Sequence, residues 1–300
     1  MNKAEPVTRT REIEEFTNLH FIHPVSIRLT RLLARFGVSP NAVSLAGMLC
    51  GMLAGVAYYH YQYAICAITG FALMIGWHIL DGTDGQLARL TNSQSESGKI
   101  IDGICDYVTF IAVYLGLGFA LQQHYGAAIW GIIVLSGTCH AVQSAAYEVQ
   151  RQEYNFWGHA ETSARLPRIS ELEHIVTHGS VYRKLMNRLY VLYVRVQYMA
   201  ARISTRLYEE LATRLERDDD QTQLIRRRYR EVFAPSVRAW SVLSANYRTA
   251  GIFVCALLKI PLLYFITEIV VLTLATVILV MKQRARYEDF LQFLAVLDDE

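Results

Sequence analysis

The sequence predicts an all-α fold: a six-helix integral membrane bundle with an N-terminal amphipathic interfacial helix and a helical cytoplasmic insertion between spans 4 and 5. Three observations carry this reading. Of 300 residues, 53% are hydrophobic and only 19% are charged, and mean hydropathy is +0.20. The charge is also segregated. No Asp, Glu, Lys or Arg occurs from Phe36 to Leu80 or from Tyr107 to Tyr147, runs of 45 and 41 residues. A membrane-crossing helix needs about 20 apolar residues, so each run can hold two spans and a turn. Finally, the basic residues are one-sided. With a cytoplasmic N-terminus and six spans, 28 of the 29 Lys and Arg fall on the cytoplasmic side, and only Lys259 lies opposite, as the positive-inside rule requires. These features exclude an ordinary soluble domain, a disordered chain and a secreted disulfide scaffold. A net charge of +2 gives no bulk basic character for nucleic acid.

Residues 1–41 form the N-terminal cytoplasmic segment. Residues 1–35 lack the short apolar core of a cleavable signal, so insertion is expected to rely on the first span. From Ile22 to Phe36, Val25, Ile27, Leu29, Leu32 and Leu33 alternate with Arg28, Arg31 and Arg35, a basic amphipathic pattern suited to the headgroup layer. Ser39-Pro40-Asn41 marks a break, with Ser39 or Asn41 able to cap the next helix. Residues 42–150 hold the first four spans, about 42–59, 64–80, 98–121 and 127–147. The run Tyr58-Tyr59-His60-Tyr61-Gln62-Tyr63 reads as an interfacial aromatic belt around the first turn.

Residues 151–237 form the insertion. The wider region 148–248 carries 17 of the 29 basic residues. Within it Leu185, Leu189, Leu192, Val196, Met199, Ile203 and Leu207 recur in steps of three and four, an amphipathic helix. Arg188, Arg195 and Arg202, with Lys184 and Arg206, give it a basic face, either solvated or pressed to anionic lipid. The acidic-to-basic run from Asp218-Asp219-Asp220 to Arg226-Arg227-Arg228 reads as a turn and an exposed helix. Residues 238–283 hold the last two spans, with a turn near residues 259–264. Residues 284–300 form a tail. The five cysteines, Cys50, Cys66, Cys105, Cys139 and Cys255, lie in apolar stretches without metal-ligand spacing and read as reduced core residues.

The chemistry is concentrated in two segments at the cytoplasmic ends of spans 2 and 3. One runs from Asp81 through Asp84-Gly85 to Ala88-Arg89, and the other is Gly98 with Asp102 and Asp106. The spacings are helical, so each helix directs its carboxylates along one face, and a short loop lets the faces meet. Four carboxylates at a membrane boundary repel one another and need a positive partner. With no thiolate or imidazole cluster nearby, hard divalent cations fit best. Two ions could bridge a diphosphate and neutralise charge as a phosphoryl bond breaks. Gly85 and Gly98 would let a nucleotide approach closely, Arg89 offers a planar cation to a phosphate oxygen, and one carboxylate could take a proton from an attacking alcohol.

The stretch Asp81–Asp106 resembles the signature of the CDP-alcohol phosphotransferase (CDP-alcohol phosphatidyltransferase) family, D-x-x-D-G-x-x-A-R, eight residues, then G-x-x-x-D-x-x-x-D. All eight fixed positions are present: Asp81, Asp84, Gly85, Ala88, Arg89, Gly98, Asp102 and Asp106. Pro40, Asn41 and Ser44 fit a further Pro-Asn-x-x-Ser/Thr element. The resemblance implies a six-helix membrane enzyme, commonly a homodimer. Such enzymes transfer a phospho-alcohol from a CDP-alcohol donor to a lipid or polar alcohol acceptor and release CMP. It implies Mg2+ or Mn2+, two ions, held by Asp81, Asp84 and Asp102 with Asp106 close by. Asp106 is then the general base, and Gly85, Ala88, Arg89, Gly98, Asn41 and Ser44 lie at the CDP site. Arg151, Arg238 and Arg248 could meet a charged acceptor headgroup. His78, one turn before Asp81, reads as a packing residue. The corresponding location is a plasma (inner) membrane, with both termini and the active site cytoplasmic. The competing classes are a divalent cation transporter or channel, which leaves Arg89 and the two glycines unexplained, and a catalytically inactive membrane scaffold.

Overall fold

The computed structural model describes residues 10–167, 181–215 and 220–297, and no strand occurs among them. Eleven α-helices are named here: α1 His23–Arg35, α2 Pro40–Tyr59, α3 Ala64–Leu90, α4 Glu96–Tyr125, α5 Ile129–Glu153, α6 Val181–Ala201, α7 Thr205–Arg214, α8 Asp220–Trp240, α9 Ala245–Leu257, α10 Pro261–Thr267 and α11 Thr273–Val296. Single π-helical turns occur at Asn18–Ile22, Tyr154–Gly158 and Glu268–Leu272. The chain divides into two compact units, Met1–His140 with Ala245–Val271, and Ala141–Ser244 with Leu272–Glu300.

Local chemistry sets the boundaries in the first unit. α1 stops where Gly37 takes φ +66°, and Val38 N–H reaches back to Leu33 O at 3.2 Å, an arrangement that a Cβ would disfavour. Ser39, not Asn41, caps α2: its hydroxyl accepts from Ala42 N at 3.3 Å, with Pro40 in the first turn. α3 continues 27 residues without a break, so the first aspartate segment is its last two and a half turns. Ser95 caps α4 by accepting from Gly98 N at 3.0 Å.

The α2–α4 contact is unusually close because glycines face each other. A Cβ on Gly116 would sit 2.0 Å from the Gly55 carbonyl oxygen, and one on Gly55 would sit 2.4 Å from Ala112 O. Removing side chains there brings the two backbones together, the small-residue packing that membrane helices favour. Around this seam lies a core that includes Ala54, Tyr58, Met74, Trp77, Phe110, Val113 and Leu117. α1 packs on α3 by a polar face rather than by its leucines. Ser26 Oγ donates to Ile79 O at 2.8 Å, Thr30 Oγ1 lies 3.3 Å from Gln86 Oε1, and a Cβ on Gly82 would fall 2.9 Å from Ser26 Oγ. Arg28, Arg31 and Arg35 are exposed.

Among the described residues, five helical segments are long and apolar enough to cross a membrane: Pro40–Tyr59, Ala64–Leu90, Ile101–Tyr125, Ile129–Gly158 and Pro261–Val296. The block read as the fifth of six spans holds α9. That helix has 13 residues, about 20 Å at 1.5 Å per residue, against a hydrocarbon thickness of about 30 Å. It ends at Lys259, whose φ is +62°, and Pro261 starts α10.

In the second unit, Arg226 Nη1 donates to Trp157 O at 2.7 Å and Arg230 Nη1 to Gly158 O at 2.6 Å, closing the end of the long helix that contains α5. Tyr229, Phe233, Tyr287 and Phe290 are buried together. Glu153 accepts from Tyr287 Oη at 2.9 Å. The amphipathic helix predicted in the insertion is present but buries a different stripe. Val191, Val194, Gln197 and Ala201 are inside, while Leu192 and Met199 are 56% and 68% exposed. It also stops at Arg202, with φ +49°, and Ser204 caps a new helix, so Ile203 and Leu207 are not on α6. The side chains of Lys184, Leu185 and Leu189, and the run Asp218-Asp219, lie outside the described residues.

Candidate functional site

The last turns of α3 and the first turns of α4 bring the aspartates together. Asp81, Asp102 and Asp106 each present a carboxylate oxygen, all within 4.8 Å of one another, and the three residues are half-buried. Asp84 is buried beside them, and Ser44 Oγ donates to its Oδ2 at 2.5 Å. Ser44, Gly47, Trp77 and Cys105 join the four aspartates in lining one small, tight pocket. Three carboxylate oxygens gathered within 4.8 Å of one another make a hard, all-oxygen donor set, the chemistry that Mg2+ or Mn2+ takes.

The remaining motif positions fall into two further contacts. The Arg89 guanidinium folds over Gly85, where a Cβ would lie 3.5 Å from its Nη1. Asn41 stands at the start of α4, where a Cβ on Gly98 would lie 3.6 Å from its Oδ1. Both glycines thus leave space beside a polar group. Ala88 is half-buried on the turn between Asp84 and Arg89.

Of the three arginines considered for an acceptor headgroup, Arg248 belongs to the unit that holds the aspartates, and Arg151 and Arg238 belong to the other. Arg248 is buried, with its Nε 2.8 Å from Glu268 Oε1. Arg151 belongs to the other unit, paired with Glu148 at 3.0 Å and 5.7 Å over the Tyr147 ring. Arg238 is exposed on α8. His78 is buried, with Nε2 3.0 Å from Thr249 Oγ1.

Some site residues escaped the sequence reading. Trp77 precedes Asp81 by one turn and Cys105 adjoins Asp106, so helical spacing alone could have found both. Gly47 and the Ser44–Asp84 bond depend on how α2 docks, which spacing does not reveal.

Comparison with known proteins follows the same geometry. Residues 37–173 match the family model for CDP-alcohol phosphatidyltransferase. The chain is 30% identical over 109 residues to an archaetidylinositol phosphate synthase of Pyrococcus horikoshii, a match covering 36% of this chain and 53% of that protein. It is 28% identical over 127 residues to a CDP-diacylglycerol–serine O-phosphatidyltransferase of Helicobacter pylori, covering 40% and 50%. It is 31% identical over 90 residues to cholinephosphotransferase 1 of Xenopus laevis, covering 26% and 21%. The chain thus spans about half the length of the first and second of these relatives and about a fifth of the third.

Proposed function

We propose that this chain is a membrane-embedded CDP-alcohol phosphotransferase that makes a phospholipid or related lipid. The observation that carries the reading is the meeting of Asp81, Asp102 and Asp106 within one carboxylate triad, flanked by the Ser44–Asp84 bond. Asp81, Asp84 and Asp102 would hold two divalent ions, Mg2+ or Mn2+, with Asp106 close to them. Bound there, the ions would neutralise the diphosphate and the charge that develops on the departing CMP.

The chain's own residues do the rest. Gly85, Ala88, Arg89, Gly98, Asn41 and Ser44 would border the CDP moiety, with Arg89 facing a phosphate oxygen. Asp106 takes the proton from the acceptor hydroxyl as its oxygen forms a bond to the β-phosphorus. The bond from that phosphorus to the bridging oxygen breaks, and CMP leaves with the electron pair. Ser44 holds Asp84 in one orientation.

The relatives are named for a serine phosphatidyl transfer, an archaetidylinositol phosphate synthesis and a choline phosphate transfer. The donor here is accordingly a CDP-alcohol, CDP-diacylglycerol or a CDP-headgroup, and the acceptor is a polar or lipid alcohol. The proposal includes a homodimer in a plasma (inner) membrane with termini and site cytoplasmic, supported by the distribution of basic residues. Purified full-length protein should release CMP from at least one member of a panel of CDP-alcohols paired with serine, glycerol phosphate, inositol phosphate or diacylglycerol. Absence of CMP release across that panel in the presence of Mg2+ and Mn2+ would sink the reading.

A further inference from the structure

A second polar cluster lies within the first unit, among mid-helix residues. Arg248 of α9 pairs with Glu268 at 2.8 Å. Glu268 also accepts from the Tyr114 hydroxyl of α4, and His140 Nδ1 of α5 lies 3.7 Å from it. Tyr114 Oη is 2.9 Å from His140 Nδ1 and 3.1 Å from Tyr264 Oη of α10. Because Tyr114 gives its one proton to the carboxylate, His140 must carry hydrogen on Nδ1 to bond that oxygen. All five residues are buried. Glu268 opens a π-helical turn, Glu268–Leu272, a distortion that re-aims a side chain within an otherwise regular helix and recurs at functional sites.

Glu268 lies within the candidate span Pro261–Val296, where an ionised group is costly and its retention points to a role. Nothing in the transfer chemistry uses these five. The contacts indicate what they do. Asp102, Asp106, Phe110 and Tyr114 stand at successive four-residue steps along α4. Trp77, which lines the aspartate pocket, meets Phe110 edge to face at 5.3 Å. Phe110 in turn meets the His140 ring at 4.4 Å. A second path runs from His78, one turn before Asp81, to Thr249, the neighbour of Arg248. Apolar side chains tolerate small rotations and slips of a helix, whereas directional bonds to a buried charge permit one setting.

We propose that Tyr114, His140, Arg248, Tyr264 and Glu268 are positioning residues for the acid site: they fix the rotation of α4 so that Asp102 and Asp106 face Asp81. This inference rests on the function proposed above. The test is Mn2+ binding, followed by electron paramagnetic resonance on the purified full chain without nucleotide, alongside CMP release. Tyr114→Phe removes the central hydroxyl with little change in volume. It should weaken Mn2+ binding about 10-fold and lower turnover at limiting Mn2+. Turnover should recover as Mn2+ is raised while the unfolding midpoint of metal-free Tyr114→Phe stays close to wild type, which a merely weakened fold would not show. The double change Arg248→Met with Glu268→Gln removes both charges without stranding one, and it should give the same loss and the same rescue.

Wild-type Mn2+ affinity in folded Tyr114→Phe and in the double variant would overturn the proposal. Failure of both to fold would also overturn it, in favour of a purely structural role. Asp102→Asn separates this from the parent reading. If wild type binds Mn2+ and Asp102→Asn does not, the site stands whatever the cluster variants do. If wild type binds none, the metal assignment itself falls.

Discussion

Ser44 donates a 2.5 Å hydrogen bond to Asp84, joining the first turns of α2 to the motif-bearing end of α3 across 40 positions of sequence. A carboxylate buried at a helix end needs donors, because desolvation without them is expensive. A bond to a charged group contributes roughly 1.5–3 kcal/mol. Ser44→Ala is therefore expected to lower turnover about 10-fold, the equivalent of roughly 1.4 kcal/mol, with the protein still folded. Ser44→Thr, which keeps the hydroxyl, should retain most activity. CMP release measured on both variants checks this, and wild-type turnover in Ser44→Ala would remove the orienting role.

Asp106 carries the proton step in the proposed mechanism. Asparagine preserves its shape and cannot accept the acceptor's proton. General-base catalysis supplies about 100- to 10,000-fold, so Asp106→Asn should reduce CMP release by about 100-fold or more, while size-exclusion behaviour and thermal unfolding stay close to wild type. Substantial turnover in the purified variant would refute the base assignment. Asp102→Asn is expected to differ in kind, losing metal affinity and activity together.

Much of this was legible in the sequence, for identifiable reasons. A three-residue step keeps Asp81 and Asp84 on one helix face, a four-residue step does the same for Asp102 and Asp106, and a short spacer lets those faces meet, so the triad follows from local periodicity. Charge-free runs gave the starts of the first four spans within a few residues, but the second and fourth helical segments run on to Leu90 and Gly158. What depends on docking was not legible. Ser44–Asp84 and His78–Thr249 link positions far apart in sequence, with no pattern to announce them. Glu268 interrupts an apolar block, and a carboxylate within a span is itself a signal, but the sequence does not say which partner it meets. Arg248, considered for a headgroup, is its buried partner. The insertion's apolar stripe failed for a backbone reason: the helix breaks at Arg202, so residues beyond it cannot share its face.

The glycine seam makes a stability prediction independent of the chemistry. A methyl at Gly116 would collide with the Gly55 carbonyl, a backbone atom that cannot rotate away. Gly116→Ala is expected to destabilise by about 1–3 kcal/mol or more, the usual cost of overpacking, visible as a lower unfolding midpoint in detergent. Gly131→Ala is the control. It sits on α5 with open space around the added Cβ, and alanine is favoured over glycine inside helices by roughly 0.5–1 kcal/mol. Equal behaviour of the two variants would show that the α2–α4 approach is looser than the structure has it.

Metal removal tests the site as a whole. Asp81, Asp102 and Asp106 hold like charges within 4.8 Å of one another, with Asp84 beside them in the same pocket. Their repulsion opposes folding unless a cation offsets it, so metal should act on stability as well as on rate. Chelation with EDTA is expected to abolish CMP release and lower the unfolding midpoint. Mg2+ or Mn2+ should restore both. A ligand present at 100 times its dissociation constant stabilises by about 2.7 kcal/mol, enough to read as a shift of several degrees. Asp102→Asn, with one charge fewer, should be less destabilised by chelation than wild type and should gain less from added metal. Protein stripped of divalent ions that keeps full activity and an unchanged midpoint would show that these carboxylates are balanced by something other than a cation.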